Sequence, residues 1–466
     1  MSTALIWIFL PLFVSILMLA FRKHQRLIAI LGSGLCLFLA ILPLVVVVDT
    51  PIKIGSIQFT FYSDLPILGR VFTLSRTEMS QLTLIYGLAA YWFGSSLVNK
   101  TKPIYVPLGL ALIAILVASM AVKPFIYSAL FIEIAVFCCI PLMADVNNDL
   151  GKGAIRFLIF QTLGLPFILL AGWFLAGGEI TPISGTQLIQ SSLLLGLGFS
   201  FWLGIFPLYT WIPMVAKEAN AQISGFIFSI LPIPVLILIM DFLNSYAWLR
   251  DYPIIYPAFR WLGALMVVTG GIWSLFQTSI KKLFGYVVLV SNGLALMALG
   301  ARGSAGIQIL AYSFVPRLLG VALISFALAV ILKNIDNLGI QELNGVLWKA
   351  PVASLAFVIG IFTVSGMPLF AGFPFIEGLA SEISIHSSIV LLIGLFAGIF
   401  LLFFTGLRIF ALFAQKKELN LTVLETRLER VILSLLIALN LLIGLFPAPI
   451  FNVFANLVAK FSFLFQ

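Results

Sequence analysis

Apolar runs of about twenty residues recur from one end of this chain to the other, and they restrict its fold more than any other feature. A helix rising about 1.5 Å per residue needs that many residues to cross a hydrocarbon core of roughly 30 Å. About fourteen crossings are predicted, at approximately 4–21, 27–48, 79–99, 104–122, 125–144, 155–177, 190–209, 222–243, 258–277, 284–301, 306–332, 351–371, 384–414 and 431–456. The runs are apolar on every side rather than alternating in ten-residue segments, so an all-α polytopic membrane protein is expected and a barrel is not. Composition agrees: 62% of the 466 residues are hydrophobic and 9% are charged, where a soluble domain carries about 25% charged residues. The first run, ALIWIFLPLFVSILMLAF, has no basic residue before it and no small-residue cleavage site, and reads as a retained helix rather than a signal peptide.

A net charge of +9 does not point to nucleic acid, because the basic residues are scattered over connecting loops, where they set orientation. With the N-terminus outside, 16 of the 26 Lys and Arg lie on cytoplasmic loops, including Arg22, Lys23, Arg26, Lys102, Lys217, Lys281 and Lys282. Eight lie outside (Lys53, Arg70, Arg76, Lys123, Arg250, Arg260, Arg302 and Lys460), and Arg317 and Arg408 fall within helices. The segment from 49 to 78 alternates partially, as in SIQFTFY, and predicts a short outer-face hairpin. KKELNLTVLETRLERVILSLL carries mixed charge at helical spacing and is expected at the cytoplasmic surface before the last crossing. Cys36, Cys138 and Cys139 sit in apolar spans without metal-ligand spacing and read as packing residues. No cofactor is expected: there is no cysteine cluster, glycine-rich nucleotide loop or haem ligand pair to carry electrons.

Prolines and glycines mark two candidate broken helices, Pro232 and Pro234 in 222–241, and Gly366, Pro368, Gly372 and Pro374 in 351–377. A charge at the bilayer centre costs roughly 2.5–3.5 kcal/mol on insertion scales, so each one asks for a reason. Glu133 in YSALFIEIAVFCCIPLM is placed near mid-depth, and its structural alternative is a single hydrogen bond to a neighbouring helix. Arg317 follows Pro316, and a guanidinium there could satisfy a carbonyl that a proline frees. Glu377 follows the second broken stretch, and Arg408 is expected to snorkel to the inner surface. Lys281 and Lys282 open a helix that carries Ser291 and Asn292 in its interior. Lys217 and Glu218 stand at the entry of a Pro-rich polar segment, FPLYTWIPMVAKEANAQISGF. Buried Lys and Glu exchange protons through water, which makes these residues candidates for an intramembrane relay.

The order of these features resembles the antiporter-like membrane subunits of respiratory complex I, shared with Mrp cation/proton antiporters and membrane-bound hydrogenases. The resemblance covers roughly residues 65 to 410. PLYTWIPMVAKEA is similar to the family's proline-tryptophan-proline segment, SIKKLFGYVVLVSNG to its basic pair and following helix, and GMPLFAGFPFIEG to its Gly/Pro-rich broken helix. GAIRFLIFQTLGLPFILLAGWFLAGG and LGRVFTLSRTEMSQLTLIYGL resemble the segments after the glutamate helix and before an early helix. The resemblance implies fourteen helices in two inverted five-helix repeats, and protons moved along buried Lys, Glu and water, driven by redox chemistry in partner subunits. It implies a proton pathway through Glu133, Lys217, Glu218, Lys281, Lys282, Arg317 and Glu377. The implied division is 1–122 for N-terminal helices and hairpin, 123–243 and 258–414 for the repeats, and 415–466 for the amphipathic segment and last helix.

Departures stand beside the matches. The family's lysine in the helix before the Pro-rich segment is replaced near Trp202, its histidines by Ser291 and Ser313, and its charge in the second broken helix by Phe373 and Ile376, with Glu377 nearest. The expected function is a membrane subunit of a proton-translocating, complex I-like NAD(P)H:quinone oxidoreductase in a bacterial plasma membrane or another energy-coupling membrane. Its expected partners are other membrane subunits, further antiporter-like ones among them, and the lipid bilayer. The alternatives are a Mrp-type Na+/H+ antiporter subunit and a non-conducting scaffold of such a complex or of a membrane-bound hydrogenase.

Overall fold

A computed structural model describes residues 2–54, 57–99, 101–144, 151–175, 185–301, 303–333, 339–386, 388–415, 424–449 and 460–461. The helices in chain order are α1 (Leu10–Ala20), α2 (Gln25–Val45), α3 (Met79–Ser95), α4 (Tyr105–Ala121), α5 (Ser128–Met143), α6 (Lys152–Leu175) and α7 (Gly185–Leu203). They continue as α8 (Trp211–Glu218), α9 (Ala221–Ile230), α10 (Pro232–Ser245), α11 (Ala247–Arg250), α12 (Ile255–Phe276) and α13 (Ile280–Leu299). The last are α14 (Gly303–Ile331), α15 (Val346–Lys349), α16 (Pro351–Val364), α17 (Gly372–His386), α18 (Ile389–Ala414) and α19 (Arg427–Leu445). Ten helices among the described residues are long and apolar enough to cross a membrane, and three shorter apolar ones accompany them. The chain is an integral, multi-pass membrane protein.

Burial sorts these helices. The apolar stretch is 94% buried in α9–α10 and 89% in both α13 and α14, against 17–39% in α2, α6, α12, α18 and α19. A helix that is apolar all round belongs inside, and these three form the spine of the molecule. α14 packs on α9 and α16, α13 on α8 and α12, and α12 on α18. The peripheral helices expose Leu, Ile and Phe, as suits a surface whose solvent is lipid.

Between α2 and α3 the chain makes two antiparallel hairpins where one was expected, β1 (Pro51–Ile54) with β2 (Ile57–Thr60), and β3 (Asp64–Ile67) with β4 (Arg70–Thr73). Leu68 and Gly69 both take positive φ in the two-residue turn of the second, the geometry that matches strand twist. β5 (Val122–Lys123), straight after α4, adds a third strand on β4.

The expected break at Pro232 and Pro234 is not one. Leu231 keeps helical dihedrals (φ −58°, ψ −40°) and joins α9 to α10, so the prolines remove hydrogen bonds without turning the chain. Real breaks lie between α7 and α8 and between α16 and α17, and they share one construction. Gly204 (φ 65°) and Gly366 (φ 66°) each follow a helix end. The next residue reaches back five positions, Ile205 N to Ser200 O at 2.9 Å and Met367 N to Phe362 O at 3.0 Å. This is the left-handed glycine stop, with Pro207 and Pro368 just beyond to prevent resumption. Of the amphipathic segment expected at 415–430, residues 416–423 lie outside the described residues, and its last residues, from Arg427, begin α19.

Candidate functional site

The polar residues of FPLYTWIPMVAKEANAQISGF have local work. Asn220 caps α9 by accepting from Gln222 N at 2.9 Å, and the Gln222 amide donates to Trp92 O (3.1 Å) and Ser95 Oγ (2.9 Å) on α3. Glu218, exposed at the end of α8, accepts from Gly153 N at the start of α6 (2.5 Å), where a carboxylate complements the helix N-terminus. Lys217 is exposed in the last turn of α8, the end that favours a cation.

Deeper in the bundle, a row of polar contacts crosses six helices. On α5, Glu133 is buried (6% exposed) and its Oε1 accepts from Thr162 Oγ1 of α6 at 2.7 Å. Thr162 lies on the exposed face of α6, so the row begins at the protein's lateral surface. The neighbouring residue Gln161 is paired twice with Trp202 of α7, donating to its carbonyl (3.2 Å) and accepting its indole N–H at its own carbonyl (2.8 Å). Leu203, next in the chain and last in α7, offers its carbonyl to Asn292 Nδ2 of α13 at 2.9 Å. Asn292 Oδ1 in turn accepts from Arg317 Nη2 of α14. Arg317, buried at 4% exposure, also donates to Phe228 O of α9 at 3.3 Å.

Two of these contacts have a cause in the sequence. Pro232 has no N–H to give the carbonyl four residues before it, that of Phe228, and Arg317 supplies the missing donor. The carbonyl freed by a proline was thus found across the bundle, on α9, and not beside Pro316. The Leu203 carbonyl belongs to a helix end, where no later N–H of the same helix remains, and Asn292 serves it. Glu133 Oε2 and Arg317 Nε and Nη1 are buried without a hydrogen-bond partner among the described residues. The contacts among the described residues thus leave an acceptor at one end of the row and two donors at the other without a partner.

The second break has its own asparagine. Asn440 of α19 donates to Thr363 Oγ1 at 2.6 Å and accepts from Ala371 N at 2.9 Å, bracing both edges of the α16–α17 gap. Tyr312, five residues before Arg317 on α14, reaches Ala371 O at 3.5 Å.

The remaining candidates stand apart from this row. Lys281 and Lys282 are half-buried in the first turn of α13, and Lys281 lines a cavity of about 220 Å³ with Asn99, Asn220 and Lys333. Ten residues, about 15 Å along a helix, separate Lys282 from Asn292. Glu377 is exposed on α17. Arg408 donates to Gln277 O at the end of α12 (2.6 Å), so its guanidinium closes a neighbouring helix end.

Gln161, Thr162, Asn440 and Thr363 were not anticipated, nor were two ionic clusters. Lys333 pairs with Glu429 at 2.9 Å, and Lys460 lies 3.3 Å from Glu78 and 3.6 Å from Asp241. Ser75 N (2.9 Å), Ser75 Oγ (2.6 Å) and Thr77 Oγ1 (3.0 Å) also donate to Glu78. Mixed charge at helical spacing was visible around Glu429, and Ser75 with Glu78 has capping-box spacing; nothing local announces that Lys460 and Asp241 meet Glu78.

Comparison with known proteins places this arrangement. Residues 124–405 match the family described as NADH:quinone oxidoreductase/Mrp antiporter, TM, a span that contains the whole row. NADH-quinone oxidoreductase subunit N 2 of Solidesulfovibrio magneticus is 23% identical over 251 residues, covering 51% of this chain and 53% of that protein. The putative antiporter subunit mnhD2 of Staphylococcus aureus is 25% identical over 265 residues, 53% of this chain and 50% of that protein. The chain thus spans about half the length of these curated relatives. A chain in the structure of the Mrp complex from Dietzia sp. DQ12-45-1b shares the fold, with TM-score 0.82, 12% identity and 99% coverage of both chains. With the family match extending over more than half its length, and with the broken helices and buried charges inside that match, the chain belongs to the NADH:quinone oxidoreductase/Mrp antiporter transmembrane family.

Proposed function

We propose that this chain is an antiporter-like membrane subunit of a proton-translocating, complex I-like NAD(P)H:quinone oxidoreductase, and that it forms part of the proton conduit while partner subunits do the redox chemistry. The observation that carries the reading is the polar row from Thr162 and Glu133 to Arg317, built through an apolar interior where every polar group needs a reason. Protons enter by Lys217, Glu218, Lys281 and Lys282 at the polar mouth and exchange with Glu133 and with water at Arg317. They leave past the α16–α17 break toward Glu377. Helix breaks suit such a path, because irregular backbone within a membrane is tolerated where it lines protein or water.

The two breaks also support a repeated architecture. Three continuous helices, a broken one and a closing one describe α4, α5, α6, α7/α8 and α9–α10, and again α12, α13, α14, α16/α17 and α18. On that pairing the first unit begins at Tyr105 rather than at 123, and the two units are inverted copies.

A specific contact favours the scaffold alternative. The reciprocal Gln161–Trp202 pair fills the place of the family's lysine with neutral groups that hold one another, which breaks the charge sequence between Glu133 and Arg317. The likeness to a putative antiporter subunit keeps the Mrp-type reading as the other alternative. Deleting this chain's gene and measuring acidification of sealed membrane vesicles separates the three. Loss of NADH-driven acidification with the remaining complex still assembled and oxidising NADH supports the first reading, loss of sodium-dependent proton exchange the antiporter, and loss of assembly, with acidification falling only in proportion to it, the scaffold.

A further inference from the structure

Away from the row, a cleft of about 280 Å³ lies between α7 and α12, floored by α10 and α13. Its cause is in the packing, since α7 leans on α6 and α10 while α12 leans on α13 and α18. The α7 wall runs from Ile189 to Ser200, about 16 Å of helix, so the cleft is long and narrow. Gly196 stands in the middle of that wall, and a Cβ placed on it would meet nothing within 4 Å. Inside, Leu195, Phe199, Phe242, Leu243, Leu249 and Leu296 are each no more than 5% exposed. At the mouth, Ile189 and Leu193 of α7 and Ile254 before α12 are 49–63% exposed, and the opening is continuous with the apolar lateral surface that meets lipid. The far end touches Ser200 and Ile205, whose backbone bond closes the stop at Gly204.

We propose that this cleft holds one acyl chain of a membrane phospholipid, its end seated against the Gly204 stop. Left empty, the cleft would strip its walls of dispersion contacts on one side. Water does not suit it, because a buried water needs two to four polar partners, the interior side chains named are apolar, and the Ser200 hydroxyl is already turned to Gly196 O at 2.6 Å. A helix of a partner subunit does not fit, because one turn about 10 Å across and 5.4 Å tall occupies roughly 400 Å³. An unbranched hydrocarbon chain has the required length, width and polarity, and the mouth opens where such chains are the solvent. Tyr252 lies on the lining between exposed Asp251 and Pro253, and a tyrosine there suits the headgroup level. The site stands whether or not the chain conducts protons.

The test is photo-crosslinking of the full chain with its native partners in nanodiscs of phosphatidylcholine carrying a diazirine near the end of one acyl chain, with labelled residues mapped by peptide mass spectrometry. Wild type is expected to be labelled at Phe199 and Ile205, which are buried, as well as at Leu193 on the surface. Gly196→Phe is expected to lower the labelling of Phe199 and Ile205 about tenfold and to leave Leu193 unchanged, because the ring takes the space of the chain. That variant is expected to fold, since the added side chain enters open space and a helix-interior glycine is replaced by a better helix former. Gly185→Phe makes the same change on α7 outside the cleft, also into open space, and is expected to alter nothing. Phe199 and Ile205 unlabelled beside a labelled Leu193 would mean that protein closes or fills the cleft, and would overturn the proposal. Labelling of Phe199 and Ile205 undiminished by Gly196→Phe would overturn it as well.

Discussion

Arg317 is a buried charge with two nitrogens unpartnered among the described residues, and its contacts explain why it is tolerated. One amino group of the guanidinium answers a carbonyl orphaned by Pro232 and an asparagine that closes a helix end on α7. Arg317→Leu removes the charge but strands Phe228 O and Asn292 Oδ1, and each stranded buried group costs about 1–3 kcal/mol. Thermal unfolding in detergent should show Arg317→Leu less stable than Arg317→Lys, which keeps a donor; equal stability of the two would contradict the capping role. A second residue-scale expectation concerns pH. Burial would raise the Glu78 carboxyl, but Lys460 and the hydrogen bonds from Ser75 and Thr77 outweigh it and hold the group below the usual carboxylate value. Burial would lower the Lys460 amine, but Asp241 and Glu78 raise it. A lowered acid contributes stability above its unfolded value, about 4.3, and loses it as pH falls through the folded value. A raised amine contributes below about 10.4 and loses it as pH climbs through its folded value. Lys460→Met should lower stability by about 3 kcal/mol at neutral pH and move the acid-side loss to higher pH. An unchanged acid profile in that variant would contradict the ionic cluster. The sequence displayed Glu133, Arg317 and Asn292 because charged and amide groups stand out in apolar runs. It hid their partners, since Gln161 meets Trp202 across 41 positions and Asn440 meets Thr363 across 77, and no local pattern encodes a contact between helices.

At the scale of elements, the breaks are where sequence and structure speak together and also where they part. Gly366 with Pro368 is a helix stop that the sequence marked as a break; Gly204 with Pro207 is another, lying inside the crossing expected at 190–209. Pro232 and Pro234 look like equal breakers, yet α9–α10 runs through them, because a fully packed helix can give up two hydrogen bonds when Arg317 replaces one. The helix spans were legible for the same reason that membranes simplify folding: length and apolarity leave few choices. Two predictions belong here. Asn440→Leu unties both edges of the α16–α17 gap and should speed amide hydrogen exchange at 365–371 while leaving α12 and α13 unchanged; unaltered exchange at the gap would count against the clamp. Gly366→Ala places a side chain at φ 66° with its Cβ against Ile376, and should lower thermal stability by about 1–3 kcal/mol.

Taken whole, the molecule is a spine of three buried helices crossed by a row of polar contacts that starts at the lateral surface beside Thr162 and ends at an arginine in the core. The resemblance and the match over residues 124–405 agree on the family. The row carries the neutral pair Trp202 and Gln161 at its middle, so conduction is the claim most in need of a direct test. The measurement is redox-driven proton pumping by the intact complex in sealed vesicles, with assembly confirmed, comparing wild type with Glu133→Gln and with Lys281→Ala/Lys282→Ala. A working conduit predicts that both variants assemble and oxidise NADH but lose most of the proton uptake assigned to this subunit; full pumping in both would contradict it and leave the buried charges as structural parts of a scaffold.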